Sequence, residues 1–239
     1  MIKVHPSWQE IVEKAYNSLD REYREFLEKN EGYFPDFDNF LNAFKTLSLD
    51  KTRYILFGQD PYPRRESAIG YAFIDGKVDA IFGENGLSKD VNRATSLRNF
   101  IKMLLIADGK LDIDDTSQEA IAKIEKNGLI DSVYELRDNF EKNGVLLLNI
   151  SLVFTSKDDT SLHVKRFLPF INSLLESLVK RDIELILFGN MAKLVNKKIP
   201  VSKEFRVFES MHPYNVSFIK DGNVLEFFRK FYLLKKDIK

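Results

Sequence analysis

Residues 53–65, Arg53-Tyr54-Ile55-Leu56-Phe57-Gly58-Gln59-Asp60-Pro61-Tyr62-Pro63-Arg64-Arg65, place five residues of strand pattern directly before a polar run with neither helical nor strand spacing. A short, nearly continuous apolar run such as "RYILF" reads as a strand covered on both faces. Three more runs share its character: "VLLLN" (145–149), "ELILF" (184–188) and "FRVFE" (205–209). Helical patterns lie between them, near 37–46, 96–107, 117–127, 132–142, 167–180 and 223–236, and several end at glycine, as at Gly109, Gly128 and Gly144. At the N-terminus, Ser7 and Glu10 have capping-box spacing, and Trp8, Ile11, Val12, Ala15, Tyr16 and Leu19 form one apolar helical stripe. Buried strands separated by helices predict an α/β fold with a central four-stranded parallel sheet and helices on both faces. Ligands in such sheets sit outside the carboxyl ends of the strands. That rule selects Gly58-Gln59-Asp60, Asn149-Ile150-Ser151, Gly189-Asn190 and Met211-His212-Pro213, and every one of these strand ends carries polar chemistry.

Composition narrows the function classes. The 239 residues hold 44% hydrophobic and 30% charged side chains, an ordinary globular mixture with material for a sizeable core. Thirty-six Lys and Arg balance 36 Asp and Glu, which argues against wholesale electrostatic capture of nucleic acid while allowing a local basic face. Without cysteine there is no disulfide, thiolate zinc site, iron–sulfur cluster or cysteine nucleophile. No apolar signal core opens the chain and no apolar run is long enough to span a bilayer, so a cytoplasmic protein without membrane contact is expected. Scattered prolines and glycines, with no repeat or linker-like tract, predict one domain over residues 1–239.

Taken singly, the candidate residues have ordinary explanations. Asp60-Pro61 suits a turn. Asn149 can end a core strand, and Phe73 is one of 20 phenylalanines. His212, one of only three histidines, stands in a His-Pro turn that is equally consistent with a hydrogen-bonded corner and a catalytic group. Arg64 and Arg65 read as solvated loop charges, and the run from Lys230 to Lys239 as the exposed face of a final helix.

Order and spacing say more than any single residue. "GQDPYPRRESAIGYAF" (58–73) resembles, without a gap, the water-activating motif of the family 1 uracil-DNA glycosylases, a GQDPYH run closed by G-x-x-F. "LLLNISLVF" (146–154) resembles that family's uracil-reading segment, and "MHPYNVSF" (211–218) its HPSPLS leucine-loop motif. "TSLRNFIKML" (95–104) is similar to the start of the helix after its proline-rich loop. The resemblance runs from about Trp8 to Ser217 and implies a uracil-DNA glycosylase-like fold.

It further implies a monofunctional glycosylase that flips deoxyuridine from DNA and hydrolyses its N-glycosidic bond, in base-excision repair. By resemblance Asp60 orients the attacking water and stabilises the cationic sugar, and His212 hydrogen-bonds uracil O2 as negative charge develops there. Gln59, Tyr62, Phe73 and Asn149 would form the uracil pocket. Asn149 offers the donor and acceptor that match the O4/N3 edge, Phe73 stacks on the ring, and Tyr62, fixed between two prolines, blocks thymine's methyl. Ser96 and Ser217 fall at phosphate-pinching positions and Val216 at the wedge position. No cofactor or metal is implied, and a monomer acting on single- or double-stranded uracil-DNA is expected.

The departures fall on DNA handling. Pro63 replaces the histidine after the tyrosine, Arg93-Ala94-Thr95 stand where the family has prolines, and Tyr214-Asn215 replace Ser-Pro. Val216 replaces leucine, Asn190 stands where serine is usual, and segments near 76–92 and 106–142 are longer than the family norm. A relative with weak or no catalysis, binding uracil or DNA in a regulatory role, is the competing expectation. An unrelated nucleotide-binding α/β protein is disfavoured by the lack of a Gly-rich phosphate loop.

Overall fold

All four apolar runs form strands, shifted by at most one residue from their sequence reading: β1 (Tyr54–Gly58), β4 (Val145–Asn149), β5 (Glu184–Phe188) and β6 (Arg206–Ser210), with the two-residue strands β2 (Phe82–Gly83) and β3 (Gly86–Leu87) between the first two. The helices are α1 (Gln9–Asn17), α2 (Arg21–Lys29), α3 (Lys89–Arg93), α4 (Thr95–Ala107), α5 (Gln118–Ala122), α6 (Val133–Lys142), α7 (Thr160–Glu176), α8 (Asn190–Lys198) and α9 (Gly222–Arg229). The structure is a computed structural model and describes residues 2–236. The chain divides into two compact units, residues 1–75 with 144–209, and residues 76–143 with 210–239.

The first unit is built on a four-stranded parallel sheet in the order β4-β1-β5-β6. β1 lies between β4 and β5, parallel to both, in a register that sets Gly58 opposite Asn149 and Phe57 opposite Leu187. All five residues of β4 are buried, so both of its faces are covered, as the unbroken apolar run predicts. Gly144 fixes where that ladder starts. Its carbonyl accepts from Arg53 N (2.8 Å) and Tyr54 N (3.0 Å), and its φ of +73° leaves a side chain to collide with the Lys51 carbonyl.

Against this sheet α1 packs on α7, and Trp8 closes the N-terminal side of the core, fully buried, with Nε1 donating to Leu47 O (2.8 Å). The capping box expected from Ser7 and Glu10 does not form. Ser7 Oγ instead accepts from Leu49 N (2.9 Å) and bonds His5 Nδ1 (2.8 Å), and His5 caps a 3-10 turn, Pro6–Trp8, ahead of α1. The 37–46 pattern is also not an α-helix, but turns around a 3-10 segment, Asn42–Phe44. Its short polar side chains divert the backbone: Asn39 Nδ2 donates to Asp36 Oδ1 (2.8 Å), and Asn42 Nδ2 to Ile69 O (2.9 Å). Conversely, α7 begins seven residues before its apolar pattern, because Thr155 and Ser156 both donate to Asp159 Oδ2 (2.9 and 2.7 Å) and shape the turn that starts it.

Residues 76–92 and 106–142 both fall in the second unit. Its centre is Phe100 of α4, with ring centroids 5.9 Å from Phe140, 6.1 Å from Phe218 and 5.2 Å from Phe228. α6 carries a complete capping box between Ser132 and Glu135, and its buried Asn139 ties down the C-terminal segment through Leu233 O (2.9 Å) and Lys235 O (2.8 Å). α5 and α9 are shorter than their patterns. Beyond Arg229 the chain runs through turns with Leu233 and Leu234 buried, so the final helix face read from Lys230 onward does not form over the described stretch. Residues 237–239 of that run lie outside the described residues. Among the described residues no helix is long and apolar enough to cross a membrane.

Gly144→Ala should destabilise the protein by about 1–3 kcal/mol through a strained left-handed residue, read as a fall of several degrees in the unfolding midpoint. Gly128→Ala, also at positive φ but with nothing near an added Cβ, should cost less. Equal losses would show that the Lys51 contact is not what requires glycine.

Candidate active site

The carboxyl ends of β1 and β4 meet at their last register pair. A Cβ on Gly58 would fall on Asn149 Oδ1 and within 3.0 Å of Ala72 Cβ, so only glycine leaves room for the amide at the end of β4. The ladder then continues past both strands: Ile150 N donates to Gly58 O (2.9 Å) and Ser151 N to Gln59 O (2.8 Å). Gln59, just before Asp60, is thereby tied to the segment that follows Asn149. Asn149 is only 6% exposed, yet its side chain has no hydrogen-bond partner among the described residues. The amide therefore keeps a donor and an acceptor to offer.

Asp60 is half-buried, and its Oδ2 accepts from Thr160 Oγ1 (3.3 Å) at the first residue of α7. Desolvation raises its pKa above the ordinary carboxylate value, opposed by hydrogen bonds from Thr160 and Gln59, which favour the charged form. Tyr62, between Pro61 and Pro63, donates from Oη to Phe73 O (3.4 Å), and burial pushes its phenol well above the usual range. Phe73 holds a left-handed backbone, φ +69°, an uncommon conformation for a bulky residue that accumulates at functional sites. Ala72 N, bonded to Leu147 O (3.1 Å), keeps that segment on β4, and the Phe73 ring lies 6.3 Å from Phe188. The first unit thus brings together Gln59, Asp60, Tyr62, Phe73 and Asn149. Asn190 is exposed at the start of α8.

The second unit gathers Ser96, His212, Val216 and Ser217. Ser96 is in the first turn of α4, half-buried. One turn on, the buried Asn99 donates from Nδ2 to Pro213 O (2.8 Å) and Tyr214 O (3.4 Å), pinning the His212 loop to α4. His212 Nδ1 lies 3.0 Å from the Tyr214 backbone N–H and therefore accepts, which leaves the proton of the neutral ring on Nε2. Although the residue as a whole is exposed, desolvation lowers its pKa below 6.5, favouring that neutral form. Val216 and Ser217 open a 3-10 turn, Val216–Lys220, and both are exposed.

Two residues went unread in the sequence. Thr160 lies 100 positions from Asp60 and carries no local signal. Asn99 had one, a polar residue on the buried face of an apolar helix. Among the described residues no group of three or more His, Asp or Glu side chains is placed to hold a metal ion.

Polar chemistry gathered at the carboxyl ends of central parallel strands defines a ligand-binding α/β protein. The chain belongs to the Uracil DNA glycosylase superfamily, whose family model matches residues 44–234. The crystal structure of wild-type UNG from Nitratifractor salsuginis is similar at 50% identity and a TM-score of 0.96, over 98% of this chain and 94% of that one. The uracil-DNA glycosylase of Fusobacterium nucleatum is 28% identical over 226 residues, covering 91% of this chain and 84% of the relative. Mimivirus uracil-DNA glycosylase, at 18% identity and a TM-score of 0.56 over 89% of this chain and 70% of that one, agrees in fold alone.

Thr160→Val removes a hydrogen bond that favours the charged carboxylate, so the Asp60 pKa should rise further above its ordinary value. Carboxyl carbon NMR titration of the variant against wild type reads this directly. An unchanged titration would mean that Thr160 does not hold Asp60 in solution.

Proposed function

We propose that this chain is a monofunctional uracil-DNA glycosylase, hydrolysing the N-glycosidic bond of flipped-out deoxyuridine and releasing uracil in base-excision repair. The observation that carries the reading is the unpartnered amide of the buried Asn149 at the end of β4, against Gly58 two residues before the Asp60 carboxylate of raised pKa, in a chain of this superfamily.

The target atom is buried in the base stack, so the nucleotide must leave it, at a cost of a few kcal/mol that is least for unpaired bases. Asn149 then reads the O4/N3 edge, rejecting cytosine because its donor and acceptor are reversed there. Phe73 stacks on the ring. Tyr62, held by two prolines and by its bond to Phe73 O, stands where thymine's methyl would lie, and a rigid clash discriminates better than a loose pocket. Gln59 borders the same edge.

As the C1′–N1 bond breaks, its electron pair goes to uracil and the sugar becomes cationic. Desolvation makes Asp60 more basic than in water, suiting it to face the cation, orient water and take its proton as the oxygen bonds C1′. His212, with its proton on Nε2, donates to uracil O2 without itself carrying charge. Ser96 and Ser217 contact phosphates and Val216 enters the vacated base site. The chain acts as one catalytic domain and a monomer, and its cysteine-free composition fits the cytoplasm. The exposed Val216, a short wedge, favours the second reading, a uracil- or DNA-binding relative with little turnover.

Incubation with a uracil-containing single-stranded oligonucleotide, followed by alkali, should give cleaved product. No product at high protein concentration would leave only the second reading. His212→Ala should lower kcat by about 10²–10³, the usual loss for one preorganised donor, and Asp60→Asn should also slow turnover strongly, both with uracil-DNA binding retained. Tyr62→Ala should gain thymine cleavage. Because both Asp60 and His212 must be unprotonated, kcat should fall as pH drops, and the lowered His212 pKa places its limb below 6.5. A limb above that value in wild type, removed in His212→Ala, would contradict the neutral-donor role.

A further inference from the structure

The large apolar side chains most exposed among those described are Tyr214 and Val216, each 70% exposed; the next, Tyr232, is at 54%. They stand two residues apart on one loop, and that loop is not loosely held. Pro213 is buried, and the Pro213 and Tyr214 carbonyls accept from Asn99. Tyr214 N donates to His212 Nδ1, Asn215 N to His212 O (2.9 Å), and Ser217 N to Asn215 Oδ1 (3.0 Å). Phe218 is fully buried immediately after. The backbone of Tyr214 is therefore fixed on both sides while its ring is presented to water.

A fixed backbone carrying a bare aromatic face lowers the ordering cost of binding and asks for a flat apolar partner. Valine, branched at Cβ and short, supplies little area for such a partner; the tyrosine ring supplies it. We propose that Tyr214 is a stacking platform for a base flanking the flipped nucleotide on the uracil-containing strand. This rests on the glycosylase reading, which brings DNA to the His212 loop, and it assigns to Tyr214 a role distinct from that of the Val216 wedge. Stacking on an aromatic side chain is worth about 1–3 kcal/mol per base and tolerates any sequence, because every base has a π-face. It also requires no positive charge, which suits a chain of zero net charge.

The side chain can be removed without touching the machinery beside it, since Tyr214→Ala keeps the backbone N–H that fixes the His212 tautomer. On single-stranded uracil-DNA, kcat/KM should fall roughly 5- to 150-fold, the range expected for one lost stack, with the loss in KM rather than kcat. Tyr214→Phe should restore it. Oligonucleotides in which each base flanking the uracil is replaced in turn by an abasic spacer locate the contact. Wild type should lose the same factor with one spacer, and Tyr214→Ala should be indifferent to that spacer. Fluorescence anisotropy with the same strands reads binding apart from cleavage. Unchanged KM and affinity in Tyr214→Ala, or equal sensitivity of both proteins to every spacer, would overturn the proposal while leaving the glycosylase reading intact. So would a change in oligomeric state with unaltered DNA binding, which would give the surface to a second copy of the chain. Tyr214-dependent, spacer-sensitive binding by a wild type that cleaves nothing would instead sink the glycosylase reading and keep the platform.

Discussion

The close approach of Gly58 to Asn149 across the β1–β4 ladder is the constraint on which the first unit's chemistry depends. Only the absence of a side chain on Gly58 makes room for the amide where it lies, and the ladder then carries the same register into Gln59 and Ser151. The Asn149 amide and the Gln59-Asp60 segment, given the uracil-reading and water-orienting roles in the proposed function, are thus referenced to a sheet rather than to a free loop. The left-handed backbone at Phe73 belongs to the same arrangement. Its strain persists because Ala72 is bonded to β4 and Phe73 O receives Tyr62, so the surroundings over-determine it.

Burial acts with opposite sign on the two groups assigned to the chemistry. It raises the carboxylate of Asp60 and lowers the imidazole of His212, because in each case the charged form loses solvation. Either shift serves the proposed step. A more basic carboxylate is a better partner for water and for a developing cation, and a neutral imidazole donates a hydrogen bond without adding a positive charge. The tautomer is set by a backbone amide, so the placement of His212 is a matter of loop conformation, and Asn99 holds that loop from α4.

The sheet was legible because each strand is a short apolar run, and the residues picked by the strand-end rule do lie at the carboxyl ends of β1, β4, β5 and β6. What could not be read was set by contacts distant in sequence. In 37–46 the apolar spacing is helical, but Asn42 bonds the Ile69 carbonyl, 27 residues away, and the backbone follows it. Ser7 met the spacing of a cap, yet Leu49, 42 residues away, takes its hydroxyl. Thr160 bonds Asp60 across 100 residues, and no local pattern records such a pair. Asn99 was the readable exception, since a polar residue on a buried helix face must have a partner somewhere.

The departures from the family motif form a coherent set once charge is considered. Phosphate neutralisation by Lys and Arg gives affinity that falls steeply with salt. A chain with 36 positive and 36 negative side chains has little long-range attraction of that kind to draw on. Hydroxyls, backbone amides and aromatic faces contact nucleic acid without a net charge. On the proposed reading, Tyr214 offers ring area where the resembled motif has serine, and Val216 offers less area than a leucine would. Within the six residues 212–217, the exposed ring of Tyr214 stands two residues nearer His212 than the exposed Val216 does. The backbone contacts of His212 involve neither the Tyr214 ring nor the Val216 side chain, so on the proposed reading DNA contacts can vary on this loop without moving the imidazole.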